Sequence, residues 1–280
     1  MFQSSDPQEN LRALLRSPSY RLAYTDVEFL TGPKMRPVRM ELEFLKSEIA
    51  LQQRDIHSTI VVFGSTRIVE PAAASRRLEE ARARLAEAPG DPRRQRAVAQ
   101  ATRILAKSRY YDIAREFARL VAQSACNGGE CEFVVMTGGG PGIMEAANRG
   151  AHDVGAESIG LNISLPMEQQ PNSFITPDLC FQFHYFAIRK FHFLLRAMAL
   201  VVFPGGFGTL DELFEVLTLR QTGRMQHIPV ILVGKDFWAK AVDFQFLADE
   251  GTISDEDLHL FQIVDTAADA WAVIREFHRV

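Results

Sequence analysis

Three times in this chain an apolar run stops abruptly at glycine. Residues 59–63 end in Gly64, Ser65 and Thr66, residues 132–136 lead into Thr137 and the glycines Gly138, Gly139, Gly140 and Gly142, and residues 198–203 stop at Pro204, Gly205 and Gly206. Apolar residues at helical spacing follow the second turn (Ile143, Ala146, Ala147) and the third (Leu210, Leu213, Phe214, Leu217). Further strands are expected at 158–163, 181–183 and 229–233, and helices at 186–198 and 267–277. Strands that alternate with helices give a parallel sheet covered on both faces, so the chain reads as an α/β protein with a doubly wound sheet. Ligands of such sheets bind beyond the carboxyl ends of the strands. All three glycine turns fall there, and they line one crevice if their strands are neighbours.

The chain's 280 residues, 47% of them hydrophobic, suffice for one large domain with an appendage. Residues 1–57 are polar and broken by Pro7, Pro18, Pro33 and Pro37 before an amphipathic pattern at Val38, Leu42, Leu45 and Ile49. They read as an N-terminal helical arm that packs on the core or on a second subunit, leaving 58–280 as the main domain. Within it, residues 70–108 are rich in Arg, Ala and Glu and carry Pro89-Gly90-Asp91-Pro92 midway, which predicts an insertion of two surface helices with a solvated charged face. A third helix is expected over 110–124. A formal charge of −4 argues against bulk nucleic-acid binding and for a small partner. Cys126, Cys131 and Cys180 form no CxxC pair or even framework and read as free thiols of a reducing cytoplasm. No targeting pattern opens the sequence and no apolar run approaches the ~20 residues of a membrane span. A soluble cytoplasmic protein with no membrane contact is expected.

The turn at 204–209 carries the chemistry. Backbone N–H groups at the start of a helix attract anions, and Gly205, Gly206 and Gly208 let a phosphate approach closely. The dinucleotide pattern GxGxxG fails, because Glu145 or Asp211 stands where its last glycine belongs, and no GxxxxGK[ST] loop is present. Carboxylates at Asp211, Glu212 and Glu215 follow at once. Glu212 suits acid–base work, but Thr209-x-x-Glu212 fits a capping box equally well. Asp211 and Glu215 also fit as acids that favour the helix dipole. Arg189 and Lys190, set among Phe181, Phe183, Tyr185, Phe186, Phe191 and Phe193, fit either a grip on a phosphate or base, or a helix with one wet and one apolar side. No histidine or cysteine spacing suggests a metal, and Ser65 lacks the context of a hydrolase nucleophile. No metal and no cofactor are expected.

The stretch from Thr137 to Ala151 (TGGGPGIMEAANRGA), the pair Arg189-Lys190, and PGGFGTLDE from Pro204 to Glu212 resemble the Lonely Guy (LOG) family, whose PGGxGTxxE signature is met at every fixed position. The resemblance covers roughly 58–235. It implies a Rossmann-like fold, usually dimeric or of higher order, that hydrolyses the N-glycosidic bond of a nucleoside 5′-monophosphate, AMP or a cytokinin riboside 5′-monophosphate, to free base and ribose 5-phosphate. It assigns catalysis to Glu212 and Arg189 and phosphate binding to Gly205, Gly206, Gly208 and Thr209. Gly64, Ser65, Gly138, Gly139, Gly140, Lys190 and Asp211 are the further candidates for the substrate site. A non-catalytic nucleotide sensor or carrier with the same phosphate cradle is the alternative. Amino-acid decarboxylation, an older family name, generally needs pyridoxal phosphate on a lysine, and no lysine here has a recognisable context for it.

Overall fold

A computed structural model describes residues 6–125, 133–166 and 170–280. Cys126, Cys131 and the expected strand start at Glu132 lie outside the described residues; Cys180 is a free thiol. The chain divides into two compact units, with the boundary between Ile49 and Ala50, earlier than the 57/58 junction expected from the sequence.

The first unit holds α1 (Pro7–Arg16), α2 (Val27–Thr31) and most of α3 (Arg36–Gln53). Asp6 caps α1 by accepting from the Gln8 N–H at 2.9 Å, with Pro7 in the first turn where a missing N–H costs nothing. Asp26 caps α2 in the same way, accepting from Phe29 N–H at 3.1 Å. The periodic residues Val38, Leu42, Leu45 and Ile49 lie on α3 and are exposed.

The second unit runs β1 (Ser58–Phe63), α4 (Pro71–Glu87), α5 (Pro92–Lys107), α6 (Arg109–Ala125), β2 (Phe133–Thr137), α7 (Ile143–His152), β3 (Ser158–Ile163), β4 (Cys180–Phe183), α8 (Phe186–Leu195), β5 (Ala197–Val202), α9 (Phe207–Gln221), β6 (Val230–Val233), α10 (Lys235–Ala241), α11 (Phe244–Asp249), β7 (Gln262–Val264) and α12 (Ala267–His278). The strands form one seven-stranded sheet in the order β4-β3-β2-β1-β5-β6-β7. Every neighbouring pair is parallel. The chain winds outward from β1 through β2, β3 and β4, then returns to β1's other side with β5.

β1 shows why both faces are covered. Its side chains alternate, so Ile60 and Val62 join a core with Tyr111 and Phe117 of α6, Ile143 of α7 and Trp271 of α12. Val61 and Phe63 join the opposite core with Phe193 of α8, Leu213 and Val216 of α9 and Trp238 of α10. All of these are buried, and a strand apolar on both faces is the mark of a doubly covered parallel sheet. Among the described residues no helix is long and apolar enough to cross a membrane.

Candidate functional site

The order reverses between β1 and β5, and there the connections leave in opposite directions and open a crevice at the carboxyl ends of the strands. The two turns at this point are joined: Phe203 N–H donates to Phe63 O at 2.8 Å and Ser65 N–H donates to Pro204 O at 3.0 Å. Ser65 O in turn accepts from Ile143 N–H at 3.1 Å, which ties the start of α7 to the same place. A cleft of about 630 Å³ opens here. Gly64, Ser65, Gly205, Gly206, Gly208 and Thr209 line it, as do Arg189, Asp211 and Glu212. Gly138, Gly139, Gly140 and Lys190 do not.

The four outside the lining are still within the local frame. A Cβ at Gly138 would lie 2.6 Å from Arg189 Nη2, so the bare backbone there makes room for the guanidinium. The carbonyls of Gly139 and Gly140 accept from Asn172 Nδ2 at 3.2 and 3.1 Å. Asn172 also donates to Asn148 Oδ1, which accepts from Thr137 Oγ1, so a buried polar network holds the second glycine turn. Lys190 bridges α8 to α9, its Nζ 3.0 Å from both Asp211 Oδ2 and Glu215 Oε2.

α9 begins at Phe207, with Gly206 as N-cap and no side-chain cap. The capping box Thr209-x-x-Glu212 does not form: Thr209 is already inside the first turn, and Leu210 N–H donates to Gly206 O at 3.0 Å. The sequence spacing misplaces the helix start because the glycines at 206 and 208 weaken the helical signal although their backbone is helical or flanks the helix. Thr209 instead packs against the backbone of Gly205, where any Cβ would collide with it. The early N–H groups of α9 have no partner within the helix and open onto the cleft.

Glu212 is 5% exposed, in the second turn of the same helix. Burial pushes its carboxyl up to about 7; the cations Lys190 and Arg189 pull it down, and the carboxylates Glu215 and Asp211 push it up again. Arg189 comes from α8. Its Nε donates to Leu161 O at 2.7 Å and its guanidinium lies over the Phe193 ring, 5.0 Å from the centroid. Burial lowers its pKa, opposed by Glu212. Lys190 goes the other way: burial would lower the ammonium, but hydrogen bonds to Asp211 and Glu215 outweigh it and raise it. The acidic run after the glycine turn therefore has two parts, with Asp211 and Glu215 sharing Lys190, and Glu212 buried within the electrostatic reach of Arg189.

Several lining residues carry no signal in the sequence. Arg67 follows the first turn, Ile104 and Lys107 belong to the insertion, Met144 to α7 and Phe237 to α10. The expected purely solvated face of the insertion is thus corrected at its end, where α5 supplies part of the cleft wall. Of the aromatic cluster around Arg189, Phe181, Phe183 and Phe193 are core residues and Phe186 lines the cleft. Phe207 also lines it and is 92% exposed.

A model of the family described as "Possible lysine decarboxylase" matches residues 144–274, a span that contains Arg189, Lys190 and the whole of 204–212. The chain is similar to the LOG family. A "Probable cytokinin riboside 5′-monophosphate phosphoribohydrolase" of Oryza sativa subsp. japonica is 30% identical over 154 residues, covering 51% of this chain and 58% of that one. A similarly named protein of Arabidopsis thaliana is 27% identical over 176 residues, 61% of this chain and 82% of that one. The "Cytokinin riboside 5′-monophosphate phosphoribohydrolase LOG" of Oryza sativa subsp. japonica is 27% identical over 176 residues, 61% of this chain and 68% of that one. Among solved structures, the molybdenum cofactor binding protein from Rippkaea orientalis is 20% identical with a TM-score of 0.45, covering 60% of this chain and 87% of that one.

Proposed function

We propose that the cleft hydrolyses the N-glycosidic bond of a nucleoside 5′-monophosphate, AMP or a cytokinin riboside 5′-monophosphate, to free base and ribose 5-phosphate. The observation that carries this reading is the joint placement of an uncapped helix start and a buried carboxyl, Glu212, held near 7 on the same helix and in the same cleft. The names of the relatives, cytokinin riboside 5′-monophosphate phosphoribohydrolases, agree with it.

Water adds to the anomeric carbon while the electrons of the C–N bond pass to the base. The sugar gains positive charge in the transition state and the base gains negative charge. Glu212, as carboxylate, stabilises the first and takes a proton from the attacking water; the departing base takes up one proton from solvent and Glu212 then returns its proton to solvent, so none is gained or lost. Arg189 steadies the departing base by hydrogen bonding, since a guanidinium scarcely gives up a proton. The phosphate, held at the start of α9, is remote from the bond that breaks. Its binding energy holds the anomeric carbon against Glu212.

Decarboxylation fits the residues less well. A Schiff base needs a neutral amine, and Lys190, which is outside the cleft lining, is kept protonated by Asp211 and Glu215. We also propose a cytoplasmic homodimer or higher homo-oligomer, which light scattering of the full chain against one lacking residues 1–57 would test.

The test of activity is a panel of nucleoside 5′-monophosphates, with release of base followed by chromatography. Release of adenine or of an isoprenylated adenine supports the reading. Binding across the panel without release would make the protein a nucleotide carrier or sensor instead.

A further inference from the structure

Among the described residues, two cations of the cleft lining meet no carboxylate. Lys190 is occupied by Asp211 and Glu215, and Arg189 and Glu212 each shift the other's proton affinity. Arg67 and Lys107 also line the cleft, and among the described residues neither makes an ion pair. The hydrogen bond from Lys107 Nζ to Arg103 O, one turn back on α5, is long at 3.4 Å. Both line the cleft together with Gly206, Phe207 and Gly208 at the start of α9. Arg67 follows the β1 turn that is hydrogen-bonded to the β5 turn through Ser65 and Pro204. Lys107 ends α5 and leads into Tyr110, whose ring packs on Gly234 directly after β6, whereas Arg189 lies against Gly138 directly after β2. In the sheet order β2-β1-β5-β6, Arg189 thus lies toward the β2 side of the β5 turn and the start of α6, next to Lys107, toward its β6 side.

We propose that Arg67 and Lys107, together with the amino end of α9, form the anion subsite that selects a phosphomonoester, so that the helical insertion supplies a specificity-determining residue. This rests on the nucleotide-hydrolase reading and names how the same cleft tells nucleotide from nucleoside. A phosphomonoester carries about −1.5 to −2 at neutral pH. Two cations without a carboxylate partner, next to the positive end of a helix, suit such a dianion. A nucleoside offers them nothing. Arg67 suits a two-pronged contact to phosphate oxygens and Lys107 a point charge.

Ribose 5-phosphate is the probe, because its binding needs no turnover. Calorimetry on the full chain should show Arg67→Met and Lys107→Met each weakening it roughly tenfold, the loss of about one charge-assisted contact. The double variant should lose more than either, and Lys107→Arg should restore most of the affinity. With AMP the same variants should raise KM more than they lower kcat. Both side chains are at least partly exposed, so melting temperatures should match the parent. Unaltered ribose 5-phosphate binding by the double variant, or none by the parent, would overturn the subsite. Failure of the hydrolase reading looks different: no base is released by the parent, while the loss of ribose 5-phosphate binding in the variants persists.

Discussion

The guanidinium of Arg189 and the backbone of Gly138 meet so closely that a Cβ at position 138 would lie 2.6 Å from Nη2. The hydrogen bond to Leu161 O and the Phe193 ring fix the same guanidinium from two other sides. The second glycine turn therefore meets the cleft through Arg189, its own glycines lying outside the lining. Gly138→Ala should displace the guanidinium and lower kcat by about tenfold or more, equivalent to about 1.4 kcal/mol of barrier, while ribose 5-phosphate affinity stays near that of the parent. Steady-state kinetics beside calorimetry measure both. An unchanged kcat would show that the position of Arg189 does not matter to the reaction.

Glu212 costs the fold stability where its charge is useful. Its folded proton affinity is raised from 4.5 to about 7, so the native state holds a proton that the unfolded chain has already lost between those values. The protein therefore loses stability from this group as pH rises through that window, and is relieved of the cost below 4.5. Glu212→Gln should be more stable than the parent at pH 8, by at most about 3 kcal/mol, and should lose that advantage in acid. Urea midpoints at the two pH values test it. The same difference at both would mean that the carboxyl is not held protonated by the fold.

The pH dependence of turnover should carry the same signature. If Glu212 acts as carboxylate, kcat/KM rises with pH and levels off above about 7. Lys190 lowers the Glu212 proton affinity, so Lys190→Met should move this limb to higher pH and depress activity at neutrality. A rate that falls across the limb instead would reverse the role, making Glu212 the proton donor.

Much of the fold is visible in the sequence because parallel strands buried on both faces, such as 59–63 and 198–203, must be continuously apolar, and because glycine marks where they end. β7 is three residues long and begins with Gln262, which no periodicity distinguishes from a loop. Glu212 and Arg189, which both line the cleft, stand out in the sequence because each sits in a distinctive run of residues. Lys107 is not, since one lysine among the charges of α5 looks like any solvated residue; only the path of the insertion brings it to the cleft. The capping box at Thr209 misleads for a local reason: the helix starts before its propensity does, on glycines that leave α9 open to an anion.

The most direct test follows AMP through two readouts, adenine released and melting temperature raised, for the parent and for Glu212→Gln. The account predicts that the parent releases adenine and ribose 5-phosphate in equal amounts. The variant should still be stabilised by AMP yet release adenine roughly a hundred- to ten-thousand-fold more slowly. Turnover by Glu212→Gln at the parent rate, or a parent that is stabilised by nucleoside monophosphates and releases no base from any of them, would contradict it.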